Sequence, residues 1–320
     1  MTKRRHSDIQ DSEVEQSLSL KWCAIVEDRF LETNIDLITF YALDNVSSSK
    51  LHRLASILEG IYKWENSNHL KRVRISKSKV FQILICPRHV LESEEIILTN
   101  DDLKTCLSDV YNLNENLITV DTPSKPCLTR QQFDKAKQFW PIVFHEDKTL
   151  KSVMDCSCLR VDETKIARNI SHLVKLSDIV LTNRCCDFNA CLIVNPASNM
   201  IVAEICQNDS TNHPLKHAVI SALDHVAKNQ LELYQNVENP KQENLQYLCT
   251  NFDCYLLKEP CVMCAMALLH SRIKRVFYVY ENAEGALGTV FKIHVEKALN
   301  HHFLVFKVLN HEEIVSNFRK

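Results

Sequence analysis

Glycine is nearly missing from this sequence: three residues in 320, where ordinary usage near ~7% would supply about 22. Phosphate-cradling loops and dinucleotide fingerprints need two or three glycines within about eight residues. Only Gly285 and Gly288 lie close together, which argues against nucleotide-cofactor folds of those kinds and against collagen-like or glycine-linker architectures. Neither sign of charge is in excess, with 38 Lys and Arg against 40 Asp and Glu. An anionic partner must therefore meet a local patch. No apolar run approaches the ~20 residues of a membrane-spanning helix. The polar first ten residues, with Lys3, Arg4 and Arg5, do not have the pattern of a secretion signal. Fourteen cysteines without such a signal are expected to be reduced thiols of a cytosolic or nuclear protein, available to a metal.

What is present is a globular composition, 45% apolar and 24% charged, with length for two domains of roughly 150 residues each. Residues 1–20 are polar without period and read as a flexible arm. Strand-like runs at 22–26, 37–41 and 80–85, helical spacing over 51–64 and a short helix over 101–111 predict an α+β domain spanning 21–125. A helical pattern over 130–140 and the loop after it form an expected connector, 126–162. The remainder, 163–320, alternates helix and strand: helices over 164–181, 215–233, 262–271 and 312–318, strands at 189–194, 200–206, 254–257, 275–280 and 303–308. Such alternation predicts an α/β layer with parallel strand pairs.

Pro260-Cys261-Val-Met-Cys264 opens one of these helices. Proline suits a helix start because the amide it lacks would go unpaired there, and the dipole at that end favours thiolates. Two thiolates one turn apart can grip one Zn2+. His217, at the start of the helix after Pro214, supplies a third ligand from a second helix N-terminus. One His and two Cys with a position left open is a catalytic type of zinc site. Zinc deaminases of nucleobases carry H-x-E and, downstream, P-C-x-x-C. Here the ligand positions match and the glutamate does not: His217-Ala-Val219.

The run from Lys258 through Pro260-Cys-Val-Met-Cys264 to His270-Ser-Arg272, then Arg275-Val-Phe-Tyr278, Gly285-Ala-Leu-Gly-Thr289 and Leu299-Asn-His301, resembles the tRNA adenosine deaminase branch of the cytidine deaminase superfamily. His213-Pro-Leu-Lys-His-Ala-Val219 and Phe139-Trp-Pro141 with Phe144-His-Glu-Asp147 are similar to the non-catalytic subunits of its eukaryotic heterodimers, which convert adenosine to inosine at the tRNA wobble position. The resemblance covers roughly 130–320. It implies a three-layer cytidine-deaminase-like domain, a mixed sheet with helices on both faces, preceded by a smaller α+β domain. A spacer between His217 and Cys261, including 235–246, reads as a surface insertion.

In this chemistry zinc acidifies water for attack on C6 of adenine, and the glutamate moves the protons. Val219 cannot, and positioned acid–base catalysis is worth about 10²–10⁴. The resemblance therefore implies a pseudoenzyme that binds zinc, pairs through the helices around the metal and needs a catalytic subunit bearing an intact H-x-E. Glu259 and Asp224 are the nearest carboxylates. The first precedes Pro260 as it does in active relatives, and the second lies two turns along the helix; neither is expected to substitute. His213 is expected to shape the loop before the zinc helix and His301 to be structural. Cys156, Cys158, Cys185 and Cys186 lack metal spacing. Nine Lys or Arg stand against two acids between Lys50 and Val90, densest at Lys71, Arg72, Arg74, Lys77 and Lys79. These are candidate tRNA phosphate contacts. Two rival readings remain, a self-sufficient zinc-dependent nucleoside or RNA deaminase and a zinc-stabilised interaction protein without an RNA role.

Overall fold

A computed structural model describes residues 20–61, 67–92, 116–160, 163–183, 189–206, 213–235 and 248–310. In chain order the elements are β1 (Trp22–Ala24), α1 (Asp28–Leu31), β2 (Leu37–Val46), α2 (Ser48–Ile61), β3 (Val73–Ile75), β4 (Phe81–Pro87), α3 (Arg88–Glu92), β5 (Leu117–Pro123) and α4 (Arg130–Ala136). They continue with α5 (Lys148–Met154), α6 (Glu163–Asn183), β6 (Ala190–Asn195), β7 (Met200–Cys206), α7 (Ala218–Gln235), β8 (Asp253–Lys258), α8 (Val262–His270), β9 (Arg275–Tyr280) and β10 (Leu304–Val308). The arm up to residue 19, the helices expected over 101–111 and 312–318, most of the 235–246 insertion, Cys185 and Cys186 lie outside the described residues.

Two compact units result, 28–148 and the remainder of the chain. In the first, β3-β4-β2-β5 form an antiparallel sheet. Alternation along β2 and β4 sends Leu43, Val46, Ile83 and Ile85 toward Leu54 and Leu58 of α2. Phe40, Ala42 and Leu84 face the other way and meet Ala136, Trp140 and Ile142. The expected connector thus supplies Ala136, Trp140 and Ile142 to the core on this face. Thr129 and Gln132 close a capping box that starts α4, and Trp140, fully buried, donates its indole N–H to the Lys71 carbonyl at 2.6 Å.

In the second unit the sheet runs β1-β10-β9-β8-β6-β7. The β8–β9 and β9–β10 pairs are parallel, while β6 and β7 make the expected hairpin and β6 meets β8 antiparallel. Both faces are covered, as three layers require. Tyr255, Phe277 and Phe306 stack in a row on one face, where the Tyr255 hydroxyl donates to Asn169 of α6 at 2.7 Å. Cys191, Ile193, Cys254, Leu256, Val276 and Val305 point oppositely, into a core completed by α7 and α8.

Position 22 crosses the expected boundary. The run expected to open the N-terminal domain pairs antiparallel with β10, Trp22 opposite Val308 and Ala24 opposite Phe306. Local composition marks a strand but cannot name its partner. The stretch after β1 is strapped down further: Ile25 N–H donates to the Val305 carbonyl (2.9 Å), Lys292 Nζ to that of Val26 (3.0 Å) and His294 Nε2 to that of Ile25 (2.9 Å). His294 is 1% exposed, with no partner for its Nδ1. Burial lowers its pKa to about 4.

Candidate metal centre

His213 closes a turn ahead of α7, its carbonyl accepting the Lys216 amide at 3.0 Å and its Nδ1 the Leu215 amide at 3.3 Å. The expected helix therefore starts at 218 rather than 215. His217 stands just before it, and its carbonyl accepts the Ser221 amide at 3.0 Å. The Ala218 amide has no partner within the helix and donates to the Asn189 side chain at 3.0 Å. On the other arm Cys261 is the N-cap of α8, in extended conformation, so Pro260 lies one residue outside the helix.

These starts bring His217 Nδ1 to 3.5 Å from Cys261 Sγ and 3.4 Å from Cys264 Sγ, with all three ligand atoms within 4.8 Å of one another. Tetrahedral zinc, with Zn–N about 2.0–2.1 Å and Zn–S about 2.3 Å, sets nitrogen and sulfur roughly 3.5 Å apart. The donor set fits. Among the described residues no other group of three metal-ligating side chains converges in this way. Burial, with Cys261 beside it, holds the Cys264 thiol above its ordinary range. Desolvation outweighs the helix dipole expected to lower it, so a cation is what would favour the thiolate.

Val219 is 4% exposed and joins the core with Ala222, Cys264, Ala265 and Leu268. Asp224 is exposed and ion-paired to Lys228 at 2.7 Å, so it serves the surface.

Residues 176–280 match the family described as cytidine and deoxycytidylate deaminase zinc-binding region. A zebrafish (Danio rerio) protein named probable inactive tRNA-specific adenosine deaminase-like protein 3 is 35% identical over 300 residues, 85% of this chain and 87% of that one. The human protein of the same name is 30% identical over 88% and 87% of the two chains. This chain belongs to the deaminase-like protein 3 family. A fission-yeast (Schizosaccharomyces pombe) relative, 27% identical over 76% of this chain and 74% of its own, is named a tRNA-specific adenosine deaminase subunit, tad3.

Gly285 and Gly288 acquire their reason beside the metal arm. Glu259 is 1% exposed. Its Oε1 accepts the Leu287 and Thr289 amides at 2.8 and 3.1 Å. Its Oε2 accepts the Asn282 amide at 3.4 Å and the Thr289 hydroxyl. Both oxygens are thus occupied within the loop. A Cβ on residue 285 would overlap the Glu259 carboxyl group, and one on residue 288 would lie 2.9 Å from the Tyr278 hydroxyl. Neither glycine has positive φ. Close approach, not turn geometry, requires them.

His301 directs Nε2 to the Ile273 carbonyl at 2.8 Å, a structural use. Cys156 is buried with its Sγ 3.5 Å from the Trp22 carbonyl, and burial raises its thiol to about 11. Ten cysteines of the described segments are free thiols. Cys206 is half of a disulfide, a departure from the expectation of reduced thiols throughout.

Of the candidate tRNA contacts, Lys71, Lys77 and Lys79 are exposed, whereas Arg72 and Arg74 are half-buried. Arg74 donates to Gln82 at 2.6 Å and to the Phe139 carbonyl at 2.7 Å, and its guanidinium lies over Trp140. That cation braces the 28–148 unit. A sequence run shows its charge but not which members fold inward.

Proposed function

We propose that this chain is the non-catalytic subunit of a heterodimeric tRNA adenosine deaminase acting at the wobble position, paired with a catalytic subunit that carries an intact H-x-E. The single observation that carries this is Val219, buried two residues beyond a metal ligand at the position where a deaminase keeps its proton-transferring glutamate. The carboxylate nearest the cysteine ligands in sequence, Glu259, has both oxygens occupied by a loop. Relatives that bear the names of a probable inactive deaminase-like protein and of a deaminase subunit support the same reading.

His217, Cys261 and Cys264 would hold Zn2+. Zinc at a site of this kind supplies a Lewis acid that activates water for attack on a purine ring. In this chain the ligand residues tie the starts of α7 and α8 together, and the side chain at 219 can neither accept nor deliver a proton. Folding energy from the metal explains why a ligand set persists without chemistry. Val262, Val290 and Phe291, 43%, 54% and 53% exposed, form an apolar rim near the cluster that suits a partner subunit. Lys71, Lys77 and Lys79 would meet tRNA phosphates, a salt-sensitive contact.

Co-purification with the catalytic subunit, followed by inosine assay of each component and of the mixture, tests this. Activity is expected from the mixture and not from this chain alone. A solo rate near that of the mixture would overturn it.

A further inference from the structure

Glu259 is a buried carboxylate that no ion pair balances among the described residues. Amide and hydroxyl donors surround it instead, and three of its four bonds come from the backbone amides of 282, 287 and 289. Folding these donors inward lays the loop against the metal arm. The Ala286 amide donates to the Pro260 carbonyl at 2.9 Å, and Gly285 forms a bridge with Cys261 itself. The Val290 amide then donates to the Gly285 carbonyl at 3.0 Å, so the loop is held on both sides of the point where it touches the ligand. Gly285 leaves no room for a side chain above the carboxylate.

We propose that Glu259 is a positioning residue of the metal cluster: by organising 282–289 it fixes the backbone at Cys261, with Gly285 as its steric complement. This rests on the reading that His217, Cys261 and Cys264 bind zinc. Groups behind metal ligands typically change metal affinity 10–100-fold when altered. Glutamine at 259 keeps the volume but turns a donor toward donors, so one set of loop bonds must break.

The test is a Co2+ titration of the full chain in wild-type and variant form, with Zn2+ competition and thermal unfolding alongside. Glu259→Gln and Gly285→Ala are each expected to weaken metal binding about 10–100-fold and to alter the thiolate-to-cobalt absorption. Glu259→Ala combined with Gly285→Ala is expected to be no worse than Glu259→Ala alone, because the clash disappears with the carboxylate. If Glu259→Ala fails to fold, Thr289→Val, which removes a single hydroxyl donor, is expected to give a smaller loss in the same direction. Variants that fold and bind cobalt with wild-type affinity and spectrum overturn the positioning role alone. A wild-type chain that takes up neither metal overturns the zinc reading and this role with it.

Discussion

The guanidinium of Arg74 lies 4.1 Å from the ring centroid of Trp140, and its Nη1 donates to the carbonyl of Phe139, the residue before that tryptophan. A residue that looks like part of a nucleic-acid patch is thereby fastened over a core tryptophan. Arg74→Glu is expected to destabilise the protein by about 3 kcal/mol, through loss of a cation–π contact and charged hydrogen bonds. Denaturant midpoints measure it. An unchanged midpoint would show the brace to be idle.

Nucleic-acid contact is better tested at Lys71, Lys77 and Lys79. Replacing them with alanine is expected to leave stability unchanged and to weaken tRNA binding by the heterodimer. The slope of log affinity against log salt should become shallower by about 0.7–0.9 for each phosphate that is no longer neutralised. Curves of unchanged slope would return these lysines to ordinary surface duty.

Removing the metal, by chelation or by Cys261→Ala, is expected to abolish zinc content, lower the melting temperature and weaken assembly with the catalytic subunit together. Elemental analysis, calorimetry and size-exclusion chromatography follow the three. Assembly that survives zinc loss unchanged would separate the metal from the interface.

Val219→Ala leaves a small cavity and is expected to cost about 2 kcal/mol of stability while the turnover of the folded heterodimer stays the same. A drop in kcat at constant folded fraction would mean that this side chain contributes to the reaction.

Acid should loosen the strap over β1. The folded pKa of His294 is about 4 against an ordinary 6.5, so below 6.5 the unfolded chain binds the proton and the folded one does not. Stability is therefore full above pH 6.5 and declines as pH falls toward 4. The limit is about 3 kcal/mol from this group. Unfolding midpoints across that range, compared with His294→Gln, isolate it; parallel curves for the two proteins would exclude His294 as the cause.

Much of the second unit is legible in the sequence because its signals are local. Arg275–Tyr280 has the expected strand limits and α8 ends within a residue of expectation. His217, Cys261 and Cys264 converge as their spacing implies. What the sequence hides is pairing at a distance. Nothing near Trp22 says that its partner is Val308, and nothing in 126–142 says that Trp140 fills the first unit rather than bridging two. The strand Leu117–Pro123 is short, and only Ile118 and Val120 alternate with polar Thr119 and Asp121, with Leu117 exposed and Pro123 ending the run, so its local signal is brief. Glu259 is visible as a letter before Pro260, but its role depends on donors at 282–289, brought to it by the β8–β9 pairing.

The pairing of β1 with β10 also sets an order of events. The first of the described strands must wait for the last, because the edge it joins does not exist until Leu304–Val308 has been synthesised and laid beside β9. Between that moment and the arrival of β1, β10 is the outermost strand and presents an open edge to other strands. The β1–β10 pair joins positions far apart in the sequence, the class of contact that slows folding. Proteolytic loss of a few residues around Trp22 would leave the metal ligands untouched and still exchange a three-residue edge strand for the five-residue β10, a longer unpaired edge open to aggregation.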